Sequence, residues 1–195
     1  WAHRAAEGAT RTEEAALRLA QRKEVLFPWV DDGTRLLEAD RFLEGDLDFE
    51  LGGVDFALRH VGPAHSSEDL AMLVKQDGVL YAGDLVFRGR VPFVGDADSR
   101  AWIAALDKLI ALDPRVLVPG HGAPSHAPRS DLVFTRDYLH HLRDQMGPAA
   151  RNLVPFEEAY DQADWSKYRD LPAFDEANRV NAYNQYLRLE QESGE

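Results

Sequence analysis

Three short stretches bring a ligand-type side chain to the end of an apolar run. RHVGPAHSS carries His65, VLYAGD carries Asp84 and VLVPGHG carries His121. The chain has no cysteine, so a metal bound to side chains must use histidine nitrogen or carboxylate oxygen. Gly83 precedes Asp84, and Gly120 and Gly122 flank His121. A metal ligand must be held to a fraction of an ångström, which a strand end does better than the middle of a loop. A glycine beside an imidazole leaves room for an ion and its other ligands. Each member also has an ordinary reading. Gly-Asp after a strand forms turns whose carboxylate accepts backbone N–H groups, and a lone loop histidine is a surface residue. The ordered triple is more specific than any one of its members.

Other side chains are weaker candidates. Arg88 and Arg90, in LVFRGRVPF, follow Asp84 closely and can meet an anionic group of a substrate, though arginines so placed are often simply solvated. His126 follows PGHG and reads as surface or as a residue at the mouth of a site. His140 and His141 are adjacent on a helix and point about 100° apart, so they do not chelate one ion and read as surface. Trp102 belongs to an apolar helix stripe. No glycine-rich phosphate loop and no Gly-x-Ser-x-Gly elbow occurs.

The elements that would carry these residues can be read from periodicity. Leu47, Phe49 and Leu51 alternate with acids, and Val54, Phe56 and Leu58 alternate after Gly52-Gly53, which predicts a β-hairpin. Asp77-Gly78 separates a strand at residues 70–75 from a short apolar strand at 79–82, expected to be buried on both faces. DADSRAWIAALDKLIALDPR predicts a helix capped by Asp98 or Ser99, with Trp102, Ala105, Leu106, Leu109 and Ile110 inward and Pro114 after its end. A strand at residues 116–118 follows, then a helix from Ser130 that stops at Gly147-Pro148. Near the start, residues 12–24 predict a helix capped by Thr12, followed by an Asp-Gly turn and extended chain. From Pro155, Phe156, Tyr160, Trp165, Tyr168, Phe174, Tyr183 and Tyr186 lie among polar residues and predict a helical extension anchored by aromatic rings. Paired strands with helices laid over them later give an α/β layered class. The expected organisation is a domain at 1–150 and an extension at 151–195 packed on it.

At 195 residues the chain can bury a real core, hiding roughly 70% of its accessible surface. The formal net charge of −12 argues against nucleic acid and anionic membrane as partners, since both need a basic face. A small molecule is the expected partner, and nothing in the residues sets an oligomeric state. No apolar run reaches transmembrane length. The first residue is Trp1, which leads to the expectation of further chain upstream.

GPAHSSEDL, VLYAGD and VLVPGHG, in this order, resemble the later metal motifs of the metallo-β-lactamase superfamily. RVPFVGDADSRAWIAALDKLIALDPRVLVPGHG and the aromatic tail resemble its quinoprotein-relay and sulfur-oxidation-associated zinc hydrolase branch. The resemblance implies part of a four-layer αβ/βα sandwich with two zinc ions between its sheets. It assigns His65 to the first ion, His121 to the second and Asp84 to the bridge, where Asp84 is also the catalytic residue retained here. It implies a hydrolase in which a zinc-bound hydroxide attacks an ester, thioester or β-lactam-like amide. It also implies export to the periplasm, while the residues themselves leave periplasm and cytoplasm both open. The family's His-x-His-x-Asp-His signature is absent upstream of His65, where His3 and His60 are the other histidines and WAHRAAEG resembles the segment downstream of that signature. The expectation is an N-terminally truncated chain that alone binds metal weakly. Iron in place of zinc, with oxidoreductase chemistry like that of sulfur dioxygenases, is the alternative on the same scaffold. A non-catalytic fragment is a third reading.

Overall fold

The computed structural model describes residues 27–29, 42–95 and 97–193. The helix expected at 12–24, the extended chain after Gly33 and His3 lie outside the described residues. The chain divides into two compact units, Trp1–Phe42 and Leu43–Glu195. The first contributes a short 3-10 turn, Phe27–Trp29. The second holds the sheet together with the helices of the tail.

Five strands form one sheet in chain order: β1 (Leu47–Leu51), β2 (Val54–His60), β3 (Leu70–Val74), β4 (Val79–Phe87) and β5 (Val116–His121). The first three junctions are antiparallel and β4–β5 is parallel. The β1–β2 hairpin turns on Gly52 and Gly53, at φ +62° and +81°, which side chains with a Cβ rarely adopt. Its register pairs Phe49 with Phe56, whose rings stack 5.0 Å apart. On the other face of the hairpin, Arg59 and Lys75 hydrogen-bond Asp48 and hold its carboxyl down to about 2.

The β4–β5 crossover contains α1 (Ser99–Ala111). Asp98 caps it, accepting the Ala101 N–H at 3.0 Å. Trp102, Ala105, Leu106 and Leu109 are buried as the stripe requires, and Ile110 is partly buried at its edge. They meet Leu80, Ala82 and Leu117 of the sheet and Leu132, Leu139, Leu142 and Met146 of α2 (Pro128–Arg151). Each fully buried leucine contributes roughly 1.5–3 kcal/mol of transfer free energy. The opposite sheet face carries Phe49, Phe56, Leu58, Met72, Val74, Tyr81 and Val118, as the strand register dictates.

Several boundaries differ from expectation. The strand expected at 79–82 runs on to Phe87, through Gly83 and Asp84, and Tyr81 is 44% exposed rather than buried. The strand expected at 116–118 continues through Pro119 and Gly120 to His121. Leu117 spends its N–H and C=O on Ser125, on the side away from β4. Pro119, two residues on, faces the same side, so its missing N–H costs the β4 ladder nothing. Helix α2 does not stop at Gly147-Pro148; Met146, Gly147 and Ala150 are buried, and that packing carries it to Arg151.

The tail forms α3 (Phe156–Gln162) and α4 (Phe174–Ser193). Tyr168 and Tyr186 are buried anchors as expected, whereas Tyr183 is 45% exposed, edge-on to Phe156. The buried face of helix α4 presents the amides Asn178, Asn181 and Gln185 among Ala177, Ala182, Tyr186 and Leu189, while Val180, Tyr183 and Leu187 face outward. Asn181 accepts the Val94 N–H at 2.9 Å and donates to the Pro92 carbonyl at 2.7 Å and the Tyr138 hydroxyl at 2.9 Å. Tyr138 donates to Asn178 Oδ1 at 2.9 Å, and burial holds its phenol well above the ordinary value. Asn184 and Gln185 donate to the carbonyls of Gly95 and Ala97. Among the described residues, no helix is long and apolar enough to cross a membrane.

Candidate metal centre

The parallel pair β4–β5 opens at its carboxyl end, where open α/β sheets receive ligands. The register there is irregular: Gly83 pairs with Pro119 and Phe87 with His121, with shifts on either side of Gly83. Asp84 lies inside that irregular stretch rather than at a strand tip. The shift turns its side chain toward β5, and His121 Nε2 stands 3.5 Å from Asp84 Oδ1. Both side chains are about half exposed (47% and 45%).

That separation suits a shared ion. Two donors at roughly 2.0–2.2 Å from one tetrahedral metal stand about 3.4 Å apart. The pair therefore fits two corners of a zinc coordination sphere. Among the described residues, no three His, Asp or Glu side chains gather closely enough to hold an ion by themselves.

Gly120 makes the approach possible. A Cβ there would lie 2.6 Å from the Gly83 carbonyl carbon and 2.7 Å from the Asp84 nitrogen, and would overlap Asp84 Oδ1. Gly122 has φ +100°, and its Cβ would meet the Arg88 carbonyl oxygen at 2.7 Å. Gly120 thus makes room for β4, and Gly122 for Arg88 just beyond it.

Phe87 fixes both imidazoles. Its ring lies nearly parallel to that of His121, 4.6 Å away at 9°, and 5.7 Å from that of His65. His65 also sits edge-on to Trp102 at 5.2 Å. The Trp102 indole N–H donates to the Leu85 carbonyl at 3.1 Å. His65 rides on a closed loop between β2 and β3. Val61 and Gly62 N–H donate to the Asp69 carbonyl, and Ser66 bonds the Asp69 carboxylate through both its N–H and its hydroxyl. The structure thus brings Asp84 and His121 into direct contact and places His65 beside them across one phenyl ring. Phe87 escaped sequence reasoning because LVF reads only as core.

The arginines differ sharply. Arg88 donates to the carbonyls of Ala123 and Pro124 and faces Asp131 at 3.4 Å. Arg90 makes no ion pair or hydrogen bond among the described residues, and its Nε is buried without a partner. His126 and His140 are exposed. His141 is half-buried: it bonds the Asp164 carbonyl at 2.7 Å and packs against Trp165 and Tyr168.

The family model described as "Metallo-beta-lactamase superfamily" matches residues 2–121. The α subunit of 2,4-dinitroanisole O-demethylase of Nocardioides sp. (strain JS1661) is 33% identical over 87 residues, covering 44% of this chain and 26% of that protein. Linear primary-alkylsulfatase of Pseudomonas sp. (strain ATCC 19151) is 27% identical over 121 residues, covering 57% and 22%. The chain spans about a quarter of the length of these curated relatives. Among solved structures, the stereoselective inverting sec-alkylsulfatase of Pseudomonas sp. aligns with a TM-score of 0.57 at 18% identity, over 75% of this chain and 26% of that one.

Proposed function

Because the chain belongs to the metallo-beta-lactamase superfamily, we propose that it supplies part of the active site of a zinc-dependent hydrolase acting on an ester, thioester or amide. The observation that carries this reading is the 3.5 Å contact between Asp84 and His121, the spacing of two ligands on one tetrahedral ion. Asp84 and His121 would hold one ion, and His65 with Asp84 would serve the other. Bound zinc would supply Lewis-acid chemistry to such a site. The chain's own residues orient that chemistry. Asp84 brings the negative charge that balances the ions, and Phe87 holds both imidazoles by contact. Arg90, with no partner among the described residues, meets an anionic group of the substrate. An alkyl sulfate, the substrate in the name of one relative, is such an anionic ester.

The domain extends from the start of the chain to about residue 150, with the helices beyond it as a packed extension. The test is metal analysis of the full-length protein followed by assay against carboxylic esters, thioesters, β-lactams and alkyl sulfates. Bound zinc with hydrolysis of one class, abolished by chelation and restored by zinc, is the expected result. Bound iron with oxygen consumption and no hydrolysis would replace this reading with the oxidoreductase one.

A further inference from the structure

Arg88 stands one residue beyond β4, and most of what it touches lies on the segment carrying His121. Its backbone N–H donates to the His121 carbonyl at 2.9 Å, one of the bonds that close the last pair of the parallel ladder, Phe87 with His121. Its guanidinium donates to the Ala123 carbonyl at 3.3 Å and the Pro124 carbonyl at 3.4 Å. Gly122, between these points, is pressed against the Arg88 backbone. Ser125 then returns to pair with Leu117. Arg88 is thus a side chain that hydrogen-bonds the carbonyls of this loop from just beyond β4.

We propose that Arg88 is a positioning residue that holds the His121 imidazole at ligand distance from Asp84. This inference rests on the metal-centre reading above. The charge of Arg88 is already engaged. Its Nε lies 3.4 Å from Asp131 Oδ2, an oxygen that is buried and makes no hydrogen bond among the described residues. Asp131 sits in the first turn of α2, so the guanidinium ties the loop after β5 to the start of the next helix. A group already bound to two carbonyls and a carboxylate has little capacity left for a substrate anion. That work falls to Arg90, two residues along. Lysine at position 88 would keep the charge but, as a single point donor, would not span the loop carbonyls and Asp131 together.

The experiment measures zinc affinity of the full-length protein by competition with a chromophoric chelator. The variants are Arg88→Gln, Arg88→Lys, His121→Ala and the double variant Arg88→Gln/His121→Ala, each with a thermal melt. Arg88→Gln is expected to weaken zinc binding by roughly 10- to 100-fold, and Arg88→Lys by less. In the His121→Ala background, Arg88→Gln should cost no further affinity, because the guanidinium acts through the imidazole. Unchanged affinity in Arg88→Gln, or the same loss with and without His121, overturns the proposal while leaving the metal centre standing. Unchanged affinity in His121→Ala removes the metal-centre reading and this proposal with it. Should Arg88→Gln fail to fold, Arg88→Lys runs the same cycle.

Discussion

Gly120 and Asp84 occupy one space: the carboxylate of β4 fills the position that a side chain on β5 would take. The contact between Asp84 and His121 depends on that missing side chain, because both residues are presented by adjacent parallel strands whose register slips at Gly83.

Gly120→Ala is therefore expected to be a site mutation as much as a stability mutation. The added methyl meets backbone as well as carboxylate, so it cannot be relieved by a rotamer change alone. Overpacking of this kind costs about 1–3 kcal/mol, and displacing Asp84 should weaken zinc binding in parallel. Urea unfolding and chelator competition on the same variant check both, and a variant with wild-type values in each would contradict the geometry.

Asp84→Ala should abolish hydrolysis in the full-length enzyme, whereas Arg90→Ala should act mainly on KM for anionic substrates. Loss of one charge-assisted hydrogen bond corresponds to a KM rise of about tenfold or more. Steady-state kinetics separate the two. Comparable falls in kcat would show that the roles are assigned wrongly.

The buried amides of the tail should be costly to lose. Asn181→Leu strands the Val94 N–H and the Pro92 carbonyl and takes one donor from the Tyr138 hydroxyl in a dry interior. Each unsatisfied group costs about 1–3 kcal/mol, so a total of about 3 kcal/mol or more is expected. Asn184→Leu removes a single bond to Gly95 at a partly exposed position and should cost under about 1.5 kcal/mol. Similar chemical-denaturation midpoints for the two variants would refute this ranking.

Acid should loosen the contacts of α4 with the start of α1 and with α2. Burial alone would raise the Asp98 carboxyl, but the Ala101 N–H and the Arg188 guanidinium outweigh it and hold it below the ordinary range. The Arg143 guanidinium, by hydrogen bond, holds Glu192 down likewise. For both, the folded value lies below the unfolded one. Their stabilisation is thus present above the ordinary carboxylate range and is lost as the pH falls through about 4 toward the folded values. Melting temperature should be flat from about pH 7 to 5 and decline below that, with a shallower decline in Arg143→Gln/Arg188→Gln. An equally steep decline in that variant would exclude these pairs as its source.

What the sequence disclosed follows from how local each signal is. The Gly52-Gly53 hairpin and the α1 stripe with its Asp98 cap rest on neighbours within a few residues, and both are present. The length of β4 and β5 was hidden because Gly-Asp and Pro-Gly are turn signals, and only the edge position and the register slip let strands run through them. His65, Asp84 and His121 were visible as ligand types following apolar runs. The work of Gly120, Phe87 and Arg88 was not, since it consists of contacts between β4 and β5 across more than thirty residues of chain. Helix α4 was recognised by its aromatics, but its orientation was unreadable because amides share its buried face with Ala177, Ala182, Tyr186 and Leu189, while Val180, Tyr183 and Leu187 face out.

The buried amides make the docking of α4 discrete rather than graded. A leucine seam can creep, since one methyl group serves nearly as well as the next. A slip of one helical turn would carry each amide of α4 about 5.4 Å from its partner, beyond any hydrogen bond, and the helix would have no second seat. Asn181, Asn184 and Gln185 read the backbone of Pro92, Val94, Gly95 and Ala97 as a fixed text. Helix and loop are thus a matched pair for inheritance and for engineering: a graft of the tail onto another scaffold must bring that loop with it, or the amides arrive with nothing to read.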